Sequence, residues 1–206
     1  MLTVILSALI SLFATFASSF CIDKLYKKFP AELSFPDEII YRKRFRKMIL
    51  FAGIFFCTNF LIKLPIPQNF YSIIAVIFLL LITVTDLEQQ IIFDKILITF
   101  ALLGIISTYQ LNLSLINHLI AAIIGGGIFL FIAILTNGIG GGDIKFIFVL
   151  GLWFGTDKLF SIVTTGMIFA GIAALILILL GKASRKDFFA YAPYFTLTTI
   201  YFEIFG

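Results

Sequence analysis

Long apolar runs separated by short polar breaks extend along the whole chain. The eight runs cover approximately residues 2–20, 48–62, 69–85, 95–111, 115–136, 144–156, 158–180 and 188–205. They are continuous in Leu, Ile and Phe and do not alternate with polar residues, which favours helices over the strands of a membrane barrel. A helix needs roughly 20 apolar residues to cross a bilayer. The pattern therefore predicts an all-α integral membrane protein with about eight transmembrane helices.

Composition agrees with this pattern. Of the 206 residues, 61% are hydrophobic and 13% are charged, and the mean hydropathy is +1.13. Soluble domains are nearer one quarter charged, so these values exclude an ordinary soluble protein. The runs leave no room for a separate soluble domain. We therefore expect a single membrane-embedded domain over 1–206, in which 22–47 is a short cytoplasmic loop.

The distribution of positive charge predicts the orientation of the helices. No Lys or Arg precedes Lys24, which favours a retained first helix with its N-terminus outside. The inner segments are then 22–47, 86–95, 137–145 and 182–187, which hold eight, one, one and three of the 15 Lys and Arg residues. This is the positive-inside bias of membrane proteins. The net charge of +4 therefore reports topology and does not indicate nucleic acid as a partner.

Two aspartates stand at ends of apolar runs on the predicted cytoplasmic side. Asp86 closes the third run, and Asp143 follows a run of glycines before the sixth. A carboxylate at membrane depth is costly and indicates a functional site. Two carboxyl groups that share one proton can hydrolyse a peptide bond without a metal. Each aspartate also has a plainer interpretation, Asp86 as an interfacial acid and Asp143 as a helix N-cap.

Residues near the two aspartates have supporting roles or structural ones. Gly140 and Gly142 would let a substrate strand approach the backbone closely. Lys145 either biases the charge of the aspartates or extends to lipid headgroups. Asp94 is either part of the site or the cap of a helix that begins at Lys95.

The sixth run is unusually short. Its length of about 13 residues corresponds to roughly 20 Å of helix, less than the bilayer core. Irregular backbone at that depth is tolerated where it lines a cavity. We therefore expect the glycines before Asp143 to lie in a hydrated cavity below the cytoplasmic surface.

The remaining reactive residue types do not form a site in the sequence. Cys21 and Cys57 are not part of a Cys-x-x-Cys pair, so the sequence predicts no disulfide framework and no metal site. His118 is the only histidine and falls on the predicted outer side, where we expect an interfacial position.

Both aspartate motifs resemble those of the bacterial type IV prepilin peptidases, which belong to the Gly-x-Gly-Asp class of membrane aspartic proteases. Residues 140–145, Gly-Gly-Gly-Asp-Ile-Lys, match the family pattern Gly-x-Gly-Asp-x-Lys fully. Residues 86–94 match Asp-x(6)-Pro-Asp, except that Phe93 replaces the proline. Two further segments are similar to the family, namely Ser19-Phe20-Cys21 through Lys28-Phe29-Pro30 and Ala192-Pro193-Tyr194-Phe195.

The resemblance implies an activity, a location and partners. It implies cleavage of the basic leader of prepilin or pseudopilin precursors at the cytoplasmic face of the bacterial inner membrane, with Asp86 and Asp143 as the catalytic pair. Proteolysis requires no cofactor, and the implied partners are these precursors and membrane lipids. Many members also methylate the new N-terminus with S-adenosylmethionine and carry two zinc-binding Cys-x-x-Cys pairs. This chain lacks those pairs, which leaves the methyltransferase activity open.

Two other functions remain compatible with the sequence. Intramembrane aspartates also relay protons, so the alternative is a small ion-coupled transporter. Transporters of that kind usually contain inverted repeats, and the glycine-rich segment has no counterpart in the first half of the chain. An inactive scaffold of a pilus or secretion assembly is favoured only if Phe93 disrupts the first motif.

Overall fold

The computed structural model describes residues 2–36, 39–136, 138–181 and 190–206. Within these ranges the chain is helical and contains no strand. The helices are α1 (Leu2–Lys28), α2 (Ile39–Leu61), α3 (Gln68–Gln89), α4 (Asp94–Gln110), α5 (Leu115–Thr136), α6 (Gly141–Leu179) and α7 (Ala192–Phe205). A short 3-10 turn, Pro30–Glu32, follows α1.

The helices form two compact units. The first ends at Ile96 and the second begins at Leu97. In the first unit, α1, α2 and α3 pack against one another. In the second, α5 packs against α6, and α6 packs against α7.

Helix α1 has the reverse of the pattern found in soluble helices. Its large apolar side chains, including Leu9, Phe13 and Phe20, are exposed. Its packed face instead carries small hydroxyl side chains, those of Ser7, Ser11, Thr15, Ser18 and Ser19. Small residues let neighbouring helices approach closely where the surrounding solvent is as apolar as the core. The arrangement of α1 is therefore that of a helix surrounded by lipid.

The prediction of an all-helical membrane protein is confirmed for the described residues. Within the described ranges four helices, α1, α3, α5 and α6, are long and apolar enough to cross a membrane. The count of about eight crossings and the outside N-terminus stay predictions.

Helix α6 is divided at Gly155, which has φ 69° and ψ −176°. A Cβ added there would lie 2.8 Å from Nδ2 of Asn117 at the start of α5. A Cβ added to Gly125, further along α5, would meet Ile147 at 3.3 Å and Leu159 at 2.7 Å. Side chains from both halves of α6 thus reach the same position on α5, so the chain reverses direction at Gly155. This break coincides with the predicted separation of the runs 144–156 and 158–180.

Trp153, just before this reversal, attaches α6 to α4. Its Nε1 donates to the carbonyl of Phe100 at 2.7 Å, and the two rings stack with centroids 4.9 Å apart. Gly104 provides the space, because a Cβ there would lie 2.7 Å from the Trp153 ring. On the other side of α6, Phe195 of α7 packs against Phe129 of α5, with ring centroids 5.8 Å apart.

Several predicted boundaries require correction. Most of the predicted loop 22–47 is helical, because α1 continues to Lys28 and α2 begins at Ile39. The reason is that charged side chains extend a helix beyond the apolar layer without cost to its backbone hydrogen bonds. His118 is buried in the protein, and its Nδ1 lies 2.9 Å from the carbonyl oxygen of Ser114. Its position at the membrane interface stays a prediction. The predicted break at 182–187 lies outside the described residues.

Candidate functional site

Asp86 lies in the last turn of α3 and is buried, with 6% of its surface exposed. The helix ends because Gln90 adopts a left-handed conformation, with φ 54° and ψ 38°. The Gln90 N–H donates to the carbonyl of Asp86 at 2.8 Å. This is a helix C-cap in which the residue after the last turn satisfies an orphan carbonyl. The cap fixes the backbone of Asp86 at the end of the helix.

A polar cluster, buried except for the half-buried Asp23, lies at the same end of α3 as Asp86 and joins the three helices of the first unit. We call it the Arg46 cluster; it consists of Asp23, Tyr26, Arg46 and Glu88. Arg46 Nε lies 2.9 and 3.1 Å from the two carboxylate oxygens of Glu88, and its second terminal nitrogen lies 2.7 Å from Oε2. Its first terminal nitrogen donates to Asp23 at 2.8 Å. The Tyr26 hydroxyl donates to Glu88 at 3.0 Å.

Gln89 attaches the connection after α1 to the same helix end. Its Oε1 accepts from the N–H of Phe35 at 2.8 Å, and its Nε2 donates to the carbonyl of Phe35 at 2.9 Å. Gln89 is fully buried. One side-chain amide therefore satisfies both backbone groups of a residue in an irregular segment.

Phe93, which replaces the family proline, is buried and packs with aromatic residues of the first unit. Its ring centroid lies 5.9 Å from that of Tyr26 and 6.3 Å from that of Phe29. Asp94 is exposed and forms the first residue of α4. It therefore starts the helix itself, whereas the sequence suggested a cap before Lys95. Phe93 is well packed here, so the scaffold interpretation gains no support from it.

Asp143 lies in the first turn of α6 and is also buried, with 8% of its surface exposed. The N-cap is Gly140, which has an extended conformation with φ −69° and ψ 146°. Asp143 is the third residue after it, so the simple N-cap interpretation of Asp143 is wrong. The Asp143 N–H donates to the carbonyl of Gly140 at 3.1 Å. Negative charge in the first turn of a helix is favoured by the helix dipole.

The glycines before Asp143 differ in their surroundings. A Cβ added to Gly140 would lie 3.2 Å from Oδ2 of Asp143, whereas one added to Gly141 would meet nothing within 4 Å. Gly142 is partly buried, and Lys145 is exposed. Lys145 lies two residues beyond Asp143, about 200° around the helix, so the two side chains leave the helix in nearly opposite directions.

Tyr191 is a residue near Asp143 that the sequence did not single out. Burial raises the pKa of its hydroxyl, and the negative charge of Asp143 raises it further. Tyr191 directly precedes the Ala-Pro-Tyr-Phe segment at 192–195. Its position next to this segment, which resembles one in the family, was the one sequence signal that could have identified Tyr191. Tyr191 is far from Asp143 along the chain, so no spacing pattern connects the two residues.

The structure thus defines two sets of candidate residues, one in each unit. The first set lies at the end of α3 that carries Asp86. The second lies around the start of α6, where Gly140, Gly142 and Tyr191 are near Asp143 and Lys145 points away from it. The pairing of the two aspartates stays a prediction. Among the described residues there is no group of three or more His, Cys, Asp or Glu side chains that could hold a metal ion. Cys21 and Cys57 are free thiols.

Comparison with known proteins identifies the family. The model of the "Type IV leader peptidase family" matches residues 73–179. This range covers more than half of the 206 residues and includes both aspartate motifs. No curated protein and no solved structure matches the chain significantly. The chain belongs to the type IV leader peptidase family.

Proposed function

We propose that the protein is a membrane aspartic endopeptidase that removes the basic leader from type IV prepilins and pseudopilins. Family membership implies a peptidase. The observation that carries the finer proposal is the position of Asp86 and Asp143. Both are buried carboxylates at helix ends, and both lie inside the family match. Burying a carboxyl group is costly, so a buried one at membrane depth indicates a function. At a helix end, a substrate can reach such a group.

The proposed reaction uses the two carboxyl groups as one acid–base unit. The ionised carboxylate takes a proton from water, whose oxygen bonds to the scissile carbonyl carbon. The protonated carboxyl donates its proton to the carbonyl oxygen, which gives a neutral tetrahedral diol. Collapse of the diol breaks the C–N bond, and the amine leaves with a proton from the carboxyl group that received one from water. The other carboxylate takes a proton from a diol hydroxyl, which leaves a carboxylic acid product and restores the starting protonation of the pair. Two nearby carboxyls share one proton readily because both cannot ionise at low cost.

The environment of each aspartate suits this role. The first turn of α6 stabilises negative charge on Asp143 through the helix dipole. The capped end of α3 holds the backbone of Asp86. The positive-inside rule, applied to the basic segments of the chain, supports a position of each of these helix ends on the cytoplasmic side of the bacterial inner membrane. A leader with positive charges remains on that same side for the same reason.

The transporter alternative is not supported by any contact in the described residues, and the family is one of peptidases. The proposal is confined to proteolysis. Methyl transfer from S-adenosylmethionine to the new N-terminus stays an expectation from the resemblance. The proposed hydrolysis does not depend on methyl transfer.

The test is cleavage of a purified prepilin with a basic leader by the protein in lipid vesicles. Asp86→Asn and Asp143→Asn should each lower the cleavage rate by a factor of about 10³ or more, because neither amide can transfer a proton as a carboxyl does. Asp157→Asn changes an exposed aspartate outside both motifs and is the matched control. Normal cleavage by either site variant would end the proposal. Proton or ion flux through the wild-type vesicles, without cleavage, would favour the transporter.

A further inference from the structure

We propose that the buried Arg46–Glu88 ion pair is a positioning device that fixes the rotation of the last turn of α3 and, through it, the direction of the Asp86 carboxyl group. The inference rests on the proposed function of Asp86. It concerns only residues of the first unit. It assigns Arg46 and Glu88 as positioning residues, which act through Asp86 without touching the substrate.

The burial and geometry of the pair set it apart from an ordinary surface ion pair. Arg46 is 1% exposed and Glu88 is 6% exposed. Three nitrogen–oxygen distances between them lie at 2.7, 2.9 and 3.1 Å. A guanidinium that contacts both oxygens of a carboxylate fixes its orientation as well as its distance. The Glu88 carboxylate is therefore held in one orientation against Arg46 of α2.

The pair is also held from α1. Asp23 accepts from the first terminal nitrogen of Arg46 at 2.8 Å, and it forms an ion pair with Lys43 at 2.7 Å. The Tyr26 hydroxyl donates to Glu88, and the Arg46 guanidinium carbon lies 5.3 Å from the centre of the Tyr26 ring. The negative charges of Asp23 and Glu88 balance the positive charges of Arg46 and Lys43. The guanidinium is thus fixed on both sides, by α1 and by α3.

The spacing of Glu88 and Asp86 explains how the pair acts on the site. Residues two apart on a helix are separated by about 200°, so Glu88 and Asp86 leave α3 on nearly opposite faces. Holding Glu88 against α1 and α2 therefore sets the direction of Asp86. A rotation of about 10° at a radius of about 6 Å moves a carboxyl by about 1 Å. A displacement of that size can lower a catalytic rate about 100-fold.

Stability alone is a weak explanation for such a pair. Replacement of a buried ion pair by apolar residues of similar size is often neutral or stabilising, because the charges no longer have to be desolvated. The cluster lies at the helix end that carries Asp86, where directional contacts are of most use.

The test removes the pair without leaving an unpaired charge in the core. The triple variant Tyr26→Phe/Arg46→Met/Glu88→Met replaces the three buried polar groups with apolar ones, and Asp23 keeps Lys43. We expect normal membrane insertion, a KM for prepilin within about twofold of wild type, and a kcat lowered about tenfold or more. The matched control is Lys158→Met/Glu203→Met, which removes an ion pair of the second unit and should leave kcat unchanged. An unchanged kcat in the triple variant would overturn the inference.

A second measurement does not depend on activity. In a Cys21→Ser/Cys57→Ala background, Asp86→Cys is labelled with a small thiosulfonate reagent, with and without the triple substitution. The inference predicts a change of at least about threefold in the labelling rate of the new thiol, because its direction relative to solvent changes. An unchanged labelling rate overturns the inference whatever the kinetics. Altered labelling in a protein whose wild type cleaves no prepilin would sustain the positioning role and reject the proposed function.

Discussion

A Cβ placed on Gly140 would lie 3.2 Å from Oδ2 of Asp143. The backbone conformation of Gly140 is extended and open to any residue, so the tight contact that a larger residue would make there is with the Asp143 carboxylate and not with its own backbone. The glycine next to it, Gly141, has no neighbour within 4 Å of the same position. Alanine substitutions at these two adjacent glycines therefore separate an effect on the position of the Asp143 carboxylate from an effect on the start of α6.

We predict that Gly140→Ala lowers kcat for prepilin cleavage about tenfold, because the Asp143 carboxylate must move by a few tenths of an ångström. Gly141→Ala should retain nearly full activity and slightly stabilise the first turn of α6. Steady-state cleavage assays on both variants give the comparison. Equal losses in the two variants would show that the contact with Asp143 is not responsible.

The reversal of α6 at Gly155 has a cost that only glycine avoids. Gly155→Ala forces an alanine to adopt a backbone φ of 69°, which favours glycine. Its Cβ would also lie 2.8 Å from Nδ2 of Asn117. We predict a loss of about 2 kcal/mol in the free energy of unfolding, seen as a lower melting temperature in detergent. Gly171→Ala, at a helical position with no neighbour within 4 Å, is the control and should not lower it. A tolerated alanine at 155 would contradict the described turn.

Phe93 stabilises the connection between the end of α3 and the start of α4. Phe93→Ala removes a buried ring that contacts Tyr26 and Phe29, and we expect a loss of about 3 kcal/mol in unfolding free energy. Phe20→Ala removes a ring that is 70% exposed on α1 and should cost far less. Thermal unfolding followed by far-ultraviolet circular dichroism measures both. Similar melting temperatures for the two variants would mean that Phe93 does not pack as described.

Tyr191 offers a hydroxyl group near Asp143. Burial, with the charge of Asp143, raises its pKa, so the hydroxyl keeps its proton at neutral pH and remains a hydrogen-bond donor. We predict that Tyr191→Phe lowers kcat several-fold with little change in thermal stability. Tyr194→Phe removes a hydroxyl from the same end of α7 and serves as the control. If only Tyr194→Phe lowers kcat, the assignment of Tyr191 is wrong.

Much of the fold follows from the sequence, since apolar runs determine helices wherever lipid is the solvent. The glycine break before Asp143, the division near 155 and the separate helices that carry the two aspartates were all predicted from local pattern. Helix ends were not, because a helix such as α1 continues into its charged residues as far as Lys28. The end of an apolar run predicts where the chain leaves the bilayer, whereas the helix continues for several more residues.

The supporting residues of the site were harder to predict. Glu88 looked like one more polar residue at an interface, and its partner Arg46 stands 42 positions earlier among seven other basic residues of the segment 22–47. No spacing rule selects Arg46 over its neighbours, since the choice depends on how α1, α2 and α3 pack. The same is true of Tyr191 and Asp143. Contacts between distant segments are set by tertiary packing, and a local pattern does not contain them.

The central claim is that Asp86 and Asp143 meet as one catalytic pair. Its most direct test is crosslinking of Asp86→Cys/Asp143→Cys, in a protein with Cys21 and Cys57 replaced, by a short bifunctional thiol reagent with prepilin bound. A protease site inserted at Asn112, between α4 and α5, reports whether the two fragments stay joined. The account predicts joined fragments in the double variant and separate fragments in each single variant. Efficient labelling of both thiols with no joined product would contradict it.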